Sequence, residues 1–259
     1  TVLQFRAQAR DKLSFWIGDK LDEMAFLTAA GVGYDKYVDR STRPQQSKLR
    51  KLAFAKDVAA PSANRQFFAG DATGTGSLTT SDKMSWNGLV GICSFAKRKR
   101  MKPIRMNGRN YYCVVMAPEQ ARDLKQDTNY QEIVARAGER GNQNPLFKGS
   151  FAVVDGLILH EHAKVPTNFG LDSSTGQWGT GNDVAGAQAL LLGAQAIGMA
   201  RLNQPEWEES DNQDYKNKQG ISVGRIMGLL KPQFEHRYDD YQREDFAVIS
   251  YYTAATPSG

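Results

Sequence analysis

Apolar side chains recur at helical spacing through the first thirty residues. Leu13, Ile17, Leu21, Met24 and Thr28 fall three or four apart, and Trp16, Phe26 and Leu27 widen the stripe. That period predicts one long helix over residues 2–30. Gly31 and Gly33 end it, because a helix C-terminus favours a residue that tolerates positive φ. The pattern then lapses. Residues 34–81 carry Lys36, Arg40, Arg43, Lys48, Arg50, Lys51 and Lys56, then Gly70, Gly74 and Gly76 among Thr and Ser. This texture predicts a loop-rich excursion with a short helix near 46–54, and loops of such length usually serve function or contacts.

Helical spacing returns with Leu89, Ile92, Phe95 and Ala96, and Ser81 is the expected N-cap of a helix over 82–99. Two hairpin signals follow. Asn107-Gly108 separates Ile104–Met106 from the apolar run 111–116, and Asp155-Gly156 separates 151–154 from 157–162. Both dipeptides suit the type I′ turn, whose two central residues need φ > 0. Between the hairpins, Pro118 opens a short helix to about Lys125, and residues 130–140 continue helically. Residues 166–184 form a polar loop around Trp178. A buried strand is expected at 189–192, a short helix of small residues at 193–202, β-structure at 221–232 and a terminal strand at 246–252. Helices and strands in this order make an α+β fold, not a regular βαβ alternation.

The chain of 259 residues is long enough for a substantial core, and 41% hydrophobic with 24% charged residues excludes a disordered chain. No stretch approaches the roughly 18–20 consecutive apolar residues that span a bilayer, so no membrane role is expected; the longest, near 189–200, is broken by Gly193, Gln195 and Gly198. A net charge of +5 is mild. Cys93 and Cys113 are too few for a disulfide framework and sit in apolar surroundings, so both read as buried free thiols. Thr1 in place of an initiating Met implies residues missing upstream, and no signal or transit peptide is visible.

Candidate chemistry is sparse. His160 and His162 flank Glu161 and share one face of a strand, but two imidazoles need further ligands to hold a metal. The third histidine, His236, is distant in sequence, so a structural role is expected for the pair and no metal. The glycines at 70, 74 and 76 lack the Lys-Ser/Thr of a phosphate-binding loop. No Gly-x-Ser-x-Gly elbow and no constellation of acid, base and nucleophile emerges, so neither catalytic residues nor a cofactor are expected. The sharpest charge feature is Lys97, Arg98, Lys99 and Arg100, extended by Lys102, Arg105 and Arg109. Three readings stay open: cations favoured at a helix C-terminus, contact with DNA phosphates, or docking against an acidic segment (206–214 or 239–245) of a neighbouring copy.

Several of these segments carry a resemblance. The run 144–149 (Asn-Pro-Leu-Phe-Lys-Gly), the strand ending His160-Glu161-His162 and the run 189–195 (Ala-Leu-Leu-Leu-Gly-Ala-Gln) resemble tailed-phage major capsid proteins of the group typified by coliphage N-four. The strand from Tyr111 to Pro118 and the closing run 245–249 belong to the same pattern. Taken in order, these segments cover most of the chain.

The resemblance implies the Hong Kong 97 capsid fold: a peripheral (P) domain with a long spine helix and an antiparallel sheet, and an axial (A) domain around a central sheet. Residues 1–80 then correspond to the P domain with its spine helix at 2–30, residues 81–218 to the A domain, and 219–259 to a return to the P domain. The N-terminal arm and extended loop that precede the spine helix in the family are not found in this chain. The implied function is structural, not enzymatic. Copies of the chain would form pentamers and hexamers of an icosahedral head, assembled in the bacterial cytoplasm around double-stranded DNA, with portal, scaffold and decoration proteins as further partners. The alternative is a nucleic-acid-binding module using the cluster at 97–109.

Overall fold

The computed structural model describes residues 2–34, 58–137, 152–169, 176–213, 218–235, 237 and 242–257. The helix expected near 46–54, the run 144–149 and His236 lie outside the described residues. The first helix, α1 (Val2–Ala30), closes as the glycine signal implies. Gly31 adopts φ +69°, its N–H donates to Thr28 O, and Val32 N–H donates to Leu27 O. This double closure satisfies carbonyls that a helix end would otherwise orphan. The buried Gln188 side chain donates to Ala30 O at 2.8 Å, anchoring the end of the helix to the sheet.

The described helices continue with α2 (Trp86–Arg98), α3 (Pro118–Gln126) and α4 (Thr128–Ala137). A seven-stranded sheet forms the centre. Its strands are β1 (Gln66–Phe68), β2 (Ile104–Met106), β3 (Arg109–Met116), β4 (Ala152–Val154), β5 (Leu157–Glu161), β6 (Gly186–Leu192) and β13 (Val248–Ala254), in the order β1-β13-β6-β3-β5-β4 with β2 beside β3. Both hairpins turn as the sequence requires: φ is +50° and +75° at Asn107-Gly108 and +50° and +79° at Asp155-Gly156.

Side-chain alternation divides the sheet residues between two faces. Val114 and Met116 of β3, Leu159 of β5, Leu191 of β6 and Ile249 of β13 enter the main core with Leu89, Ile92 and Ala96 of α2 and Leu124 of α3. The intervening Leu190 and Val248 meet Ala29 and Ala30 of α1 on the opposite face, where Val115 packs near Phe26. Hence β3, β6 and β13 read as nearly unbroken apolar runs.

The remaining strands form two-stranded units. β7 (Gly198–Arg201) pairs with β10 (Met227–Leu230), β8 (Glu206–Gln213) with β9 (Lys218–Gly224), and β11 (Gln233–Glu235) with β12 (Arg243–Asp245), all antiparallel. Helix α1 lies against β9 and β10.

Four expectations need correction. Ser81 is not the N-cap; Lys83 bridges to Ala254 and Met84 is buried, so the chain stays extended until Ser85, whose Oγ accepts from Gly88 N–H. The helix expected at 193–202 is a turn followed by β7. There Gly193 passes so close to the Lys102 carbonyl that a Cβ would collide with it, and Ala194 N–H donates to that same oxygen. The terminal strand, expected in a separate P-domain sheet, lies inside the central sheet between β1 and β6. Finally, Leu13, Ile17, Leu21 and Met24 are half-buried, and Ile249 faces the side of the sheet away from α1. Among the described side chains of α1, only 27–30 are fully buried as a run, because the last turn sits over the sheet.

Candidate functional site

The structure gathers the basic residues around the C-terminal end of α2 and the hairpin that follows it. Lys97 and Arg98 occupy the last turn of α2, Lys99 caps it, and Arg100 turns the chain with φ +53°. Lys102 leads into β2, which carries Arg105, and Arg109 opens β3 across the turn. All seven are exposed except the half-buried Lys99. The helix end explains part of this placement, since its carbonyls attract cations. The Lys102 ammonium also donates to Gln195 Oε1 at 2.9 Å and lies 5.9 Å from the centre of the Phe246 ring.

Among the described acids of the segments expected to answer this cluster, Glu244 and Asp245 are paired within their own chain. Asp245 pairs with Lys231 at 2.8 Å, and Glu244 with Arg65 at 3.0 Å; all four side chains are at most 2% exposed. Ser62 N–H and Gln233 Nε2 also donate to the Asp245 carboxylate, and Asn64 Nδ2 donates to Glu244. Burial pulls the Lys231 pKa down, while its hydrogen bond to Asp245 opposes the fall. On β8, Glu209 faces Arg6 of α1 at 3.9 Å, and Arg10 lies over the Trp207 ring. Residues 239–241 lie outside the described residues.

His160 and His162 do lie on one strand end, ring centres 6.3 Å apart and nearly perpendicular. His162 stacks on Phe26 of α1 at 4.4 Å, and its Nδ1 accepts from Lys164 N–H. Burial and the Lys164 ammonium lower its pKa against the pull of Asp22. An acceptor nitrogen engaged with backbone and a stacked ring suit a packing role. Among the described residues no three His, Cys, Asp or Glu side chains come together to hold a metal ion. Cys93 is buried and Cys113 half-buried, both as free thiols, and burial raises the Cys113 pKa.

One surface escaped the sequence reading. The ribbon β7–β10 turns alternate residues outward, leaving Leu202 78%, Ile226 60% and Leu230 58% exposed, with Ala200 and Gly228 between them. Met227 and Leu229, on the other face, are half-buried, and Met199 beside Leu229 is 48% exposed, so that face is covered in part. The apolar run in the sequence signals β-structure, but not that a ribbon of two strands has only one face covered.

The family model for phage capsid protein matches residues 1–257. Over 264 aligned residues the chain is 39% identical to the major capsid protein of Pseudomonas phage KPP25, covering 98% of this chain and 69% of that one. Among solved structures, the capsid of Ralstonia phage GP4 superposes with a TM-score of 0.74 and 26% identity, over 98% of this chain and 68% of that one. The capsid of cyanophage Pam1 shares the fold at a TM-score of 0.71 and 17% identity, over 98% and 70% of the two chains. None of these relatives supports the nucleic-acid-binding alternative. Matched almost end to end and folded as phage capsids are, with the Hong Kong 97 architecture, the chain belongs to the phage capsid protein family and has the structural role of a major capsid protein.

Proposed function

We propose that the chain assembles with copies of itself into the pentamers and hexamers of an icosahedral phage head enclosing double-stranded DNA. Assembly takes place in the bacterial cytoplasm, with portal, scaffold and decoration proteins as further partners. The observation that carries this reading is the outward apolar face of the β7–β10 ribbon on a member of a capsid family. Fully burying an aliphatic side chain of this size contributes about 1.5–3 kcal/mol, so one such contact is modest. Repeated around a closed ring, modest contacts become hard to reverse.

In this reading residues 81–218 are the A domain, joined in its sheet by β1 and the terminal strand β13, and residues 1–80 and the rest of 219–259 are the P domain, which makes contacts at the periphery. Replacing Leu202 and Ile226 with Ser tests it. The variant subunit should fold, with an unchanged far-ultraviolet spectrum, and electron micrographs should show few closed shells. Wild-type shell yield from the variant would show that the ribbon face is not an assembly contact, and no closed shells from the unaltered full-length protein would contradict the reading.

A further inference from the structure

The basic cluster lies at one end of α2. At the other end the structure holds a cavity of about 370 Å³, lined by Asp82, Lys83, Asp123, Gln126 and Asp127 around the segment entering the helix. Three carboxylates against one ammonium leave this cavity negative. Two of the acids are engaged: Asp127 accepts from Trp86 N–H, and Asp82 accepts from the N–H and hydroxyl of Thr79. Asp123 differs. It is only 5% exposed, and while its Oδ1 faces Arg122 at 3.3 Å, its Oδ2 is buried without a hydrogen-bond partner. A buried carboxylate oxygen left without a donor is costly, and beyond the Arg122 pair a cation docked at the cavity would offset that charge through space. A compact metal ion does not suit the site, because the carboxylates do not converge closely enough to ligate one. A long side chain ending in an ammonium or guanidinium does suit it, supplying three or five donors across a broad opening.

The two charged features are held apart by a rigid spacer. Helix α2 has thirteen residues, about 20 Å at 1.5 Å per residue, and Leu89, Ile92 and Ala96 fix it to the sheet. Oppositely charged ends on one fixed rod are what a ring of identical subunits needs, because a head-to-tail interface joins two different patches of the same chain. We propose that the basic end of α2, led by Lys97 and Arg98, docks into the Asp82–Asp123–Asp127 cavity of the neighbouring copy within a capsomer. This pairing rests on the assembly reading above and adds the partner that the internal ion pairs of Glu244 and Asp245 leave open. Complementary charges of this kind set register and suppress wrong docking more than they add affinity.

Cross-linking in assembling full-length subunits tests the pairing. Arg98→Cys combined with Gln126→Cys, both at exposed positions, should give a ladder of covalent oligomers up to pentamers and hexamers under mild oxidation. Each single variant should give none. Separately, Gln126→Lys, which places a cation at the cavity, should cut shell yield about tenfold. Lys97→Glu with Arg98→Glu should do the same, and combining these three changes should recover much of the yield. No ladder, with normal shells from Gln126→Lys, would overturn the pairing while leaving the assembly reading intact. Failure of the unaltered full-length protein to form shells would remove the assembly reading itself, whatever the cross-links show.

Discussion

The central sheet and the β7–β10 ribbon are built from the same kind of short apolar strand, yet they end in opposite circumstances. Leu190 and Leu191 of β6 are both fully buried, one against α1 and the other against α2 and α3. Leu229 and Leu230 of β10 alternate in the same way, but one is half-buried and the other 58% exposed. The strands do not differ in chemistry; they differ in how many layers the chain itself supplies. The sheet receives helices on both faces and is complete within one subunit. The ribbon receives α1 on one side, and in the proposed assembly a neighbour provides its second layer. A shell protein gains from this division, because the fold is secured before assembly while the peripheral surfaces stay open to slightly different surroundings.

The largest effect should come from the junction between these regions. Lys231 follows β10 directly and is held by Asp245, the residue that ends β12 just before the sheet's last strand. Asp245→Asn would leave the buried ammonium without its counter-charge, a loss of about 3–5 kcal/mol. Chemical denaturation of the isolated subunit should register it. An unchanged midpoint would mean that the ribbon and the sheet are not joined through this pair. Next come two leucines. Leu191→Ala should cost about 2–5 kcal/mol, whereas Leu13→Ala, half-buried on α1, should cost less than half as much. Equal losses would mean that the first half of α1 is packed as fully as the central sheet.

The smallest effect concerns the contact between α1 and the end of β5. Because the folded state holds the His162 pKa below the ordinary value of about 6.5, the unfolded chain takes up the proton first as pH falls. The stability tied to the neutral ring is fully present above about pH 6.5 and declines below it. Lys164 and His160 oppose protonation, and Asp22 favours it. His162→Gln should flatten the acid side of the stability profile between about pH 6.5 and 5 and leave shell assembly at neutral pH unchanged. A profile as steep as wild type would place the titrating group elsewhere.

How much of this was legible depended on whether the determining interactions are local. Asn107-Gly108 and Asp155-Gly156 turn as read, since φ > 0 at two adjacent residues is a demand the dipeptide itself meets. The end of α1 was equally readable from Gly31. Ser81 and Ser85 were harder to separate: both can cap a helix, and only the pairing of Lys83 with the distant Ala254 selects the second. The small residues at 193–202 fit a helix locally and became a strand through β10 and the close approach of Lys102. At the candidate site, the clustering of Lys97 to Arg109 followed from helix end and hairpin in sequence. The acidic cavity did not, because Asp82, Asp123 and Asp127 converge only after two helices dock. The pairing of Glu244 and Asp245 with Arg65 and Lys231 was likewise invisible, since an acidic run reads as solvated until its partners are located.

Amide hydrogen exchange, measured on the free subunit and on the assembled shell, addresses the division between completed sheet and uncompleted periphery most directly. Strands β3, β6 and β13 should be strongly protected in both states. Residues 198–202 and 226–230, together with the first half of α1, should exchange readily in the free subunit and become protected in the shell. Equal protection of the ribbon in the two states, or slow exchange of the ribbon before assembly, would contradict the account.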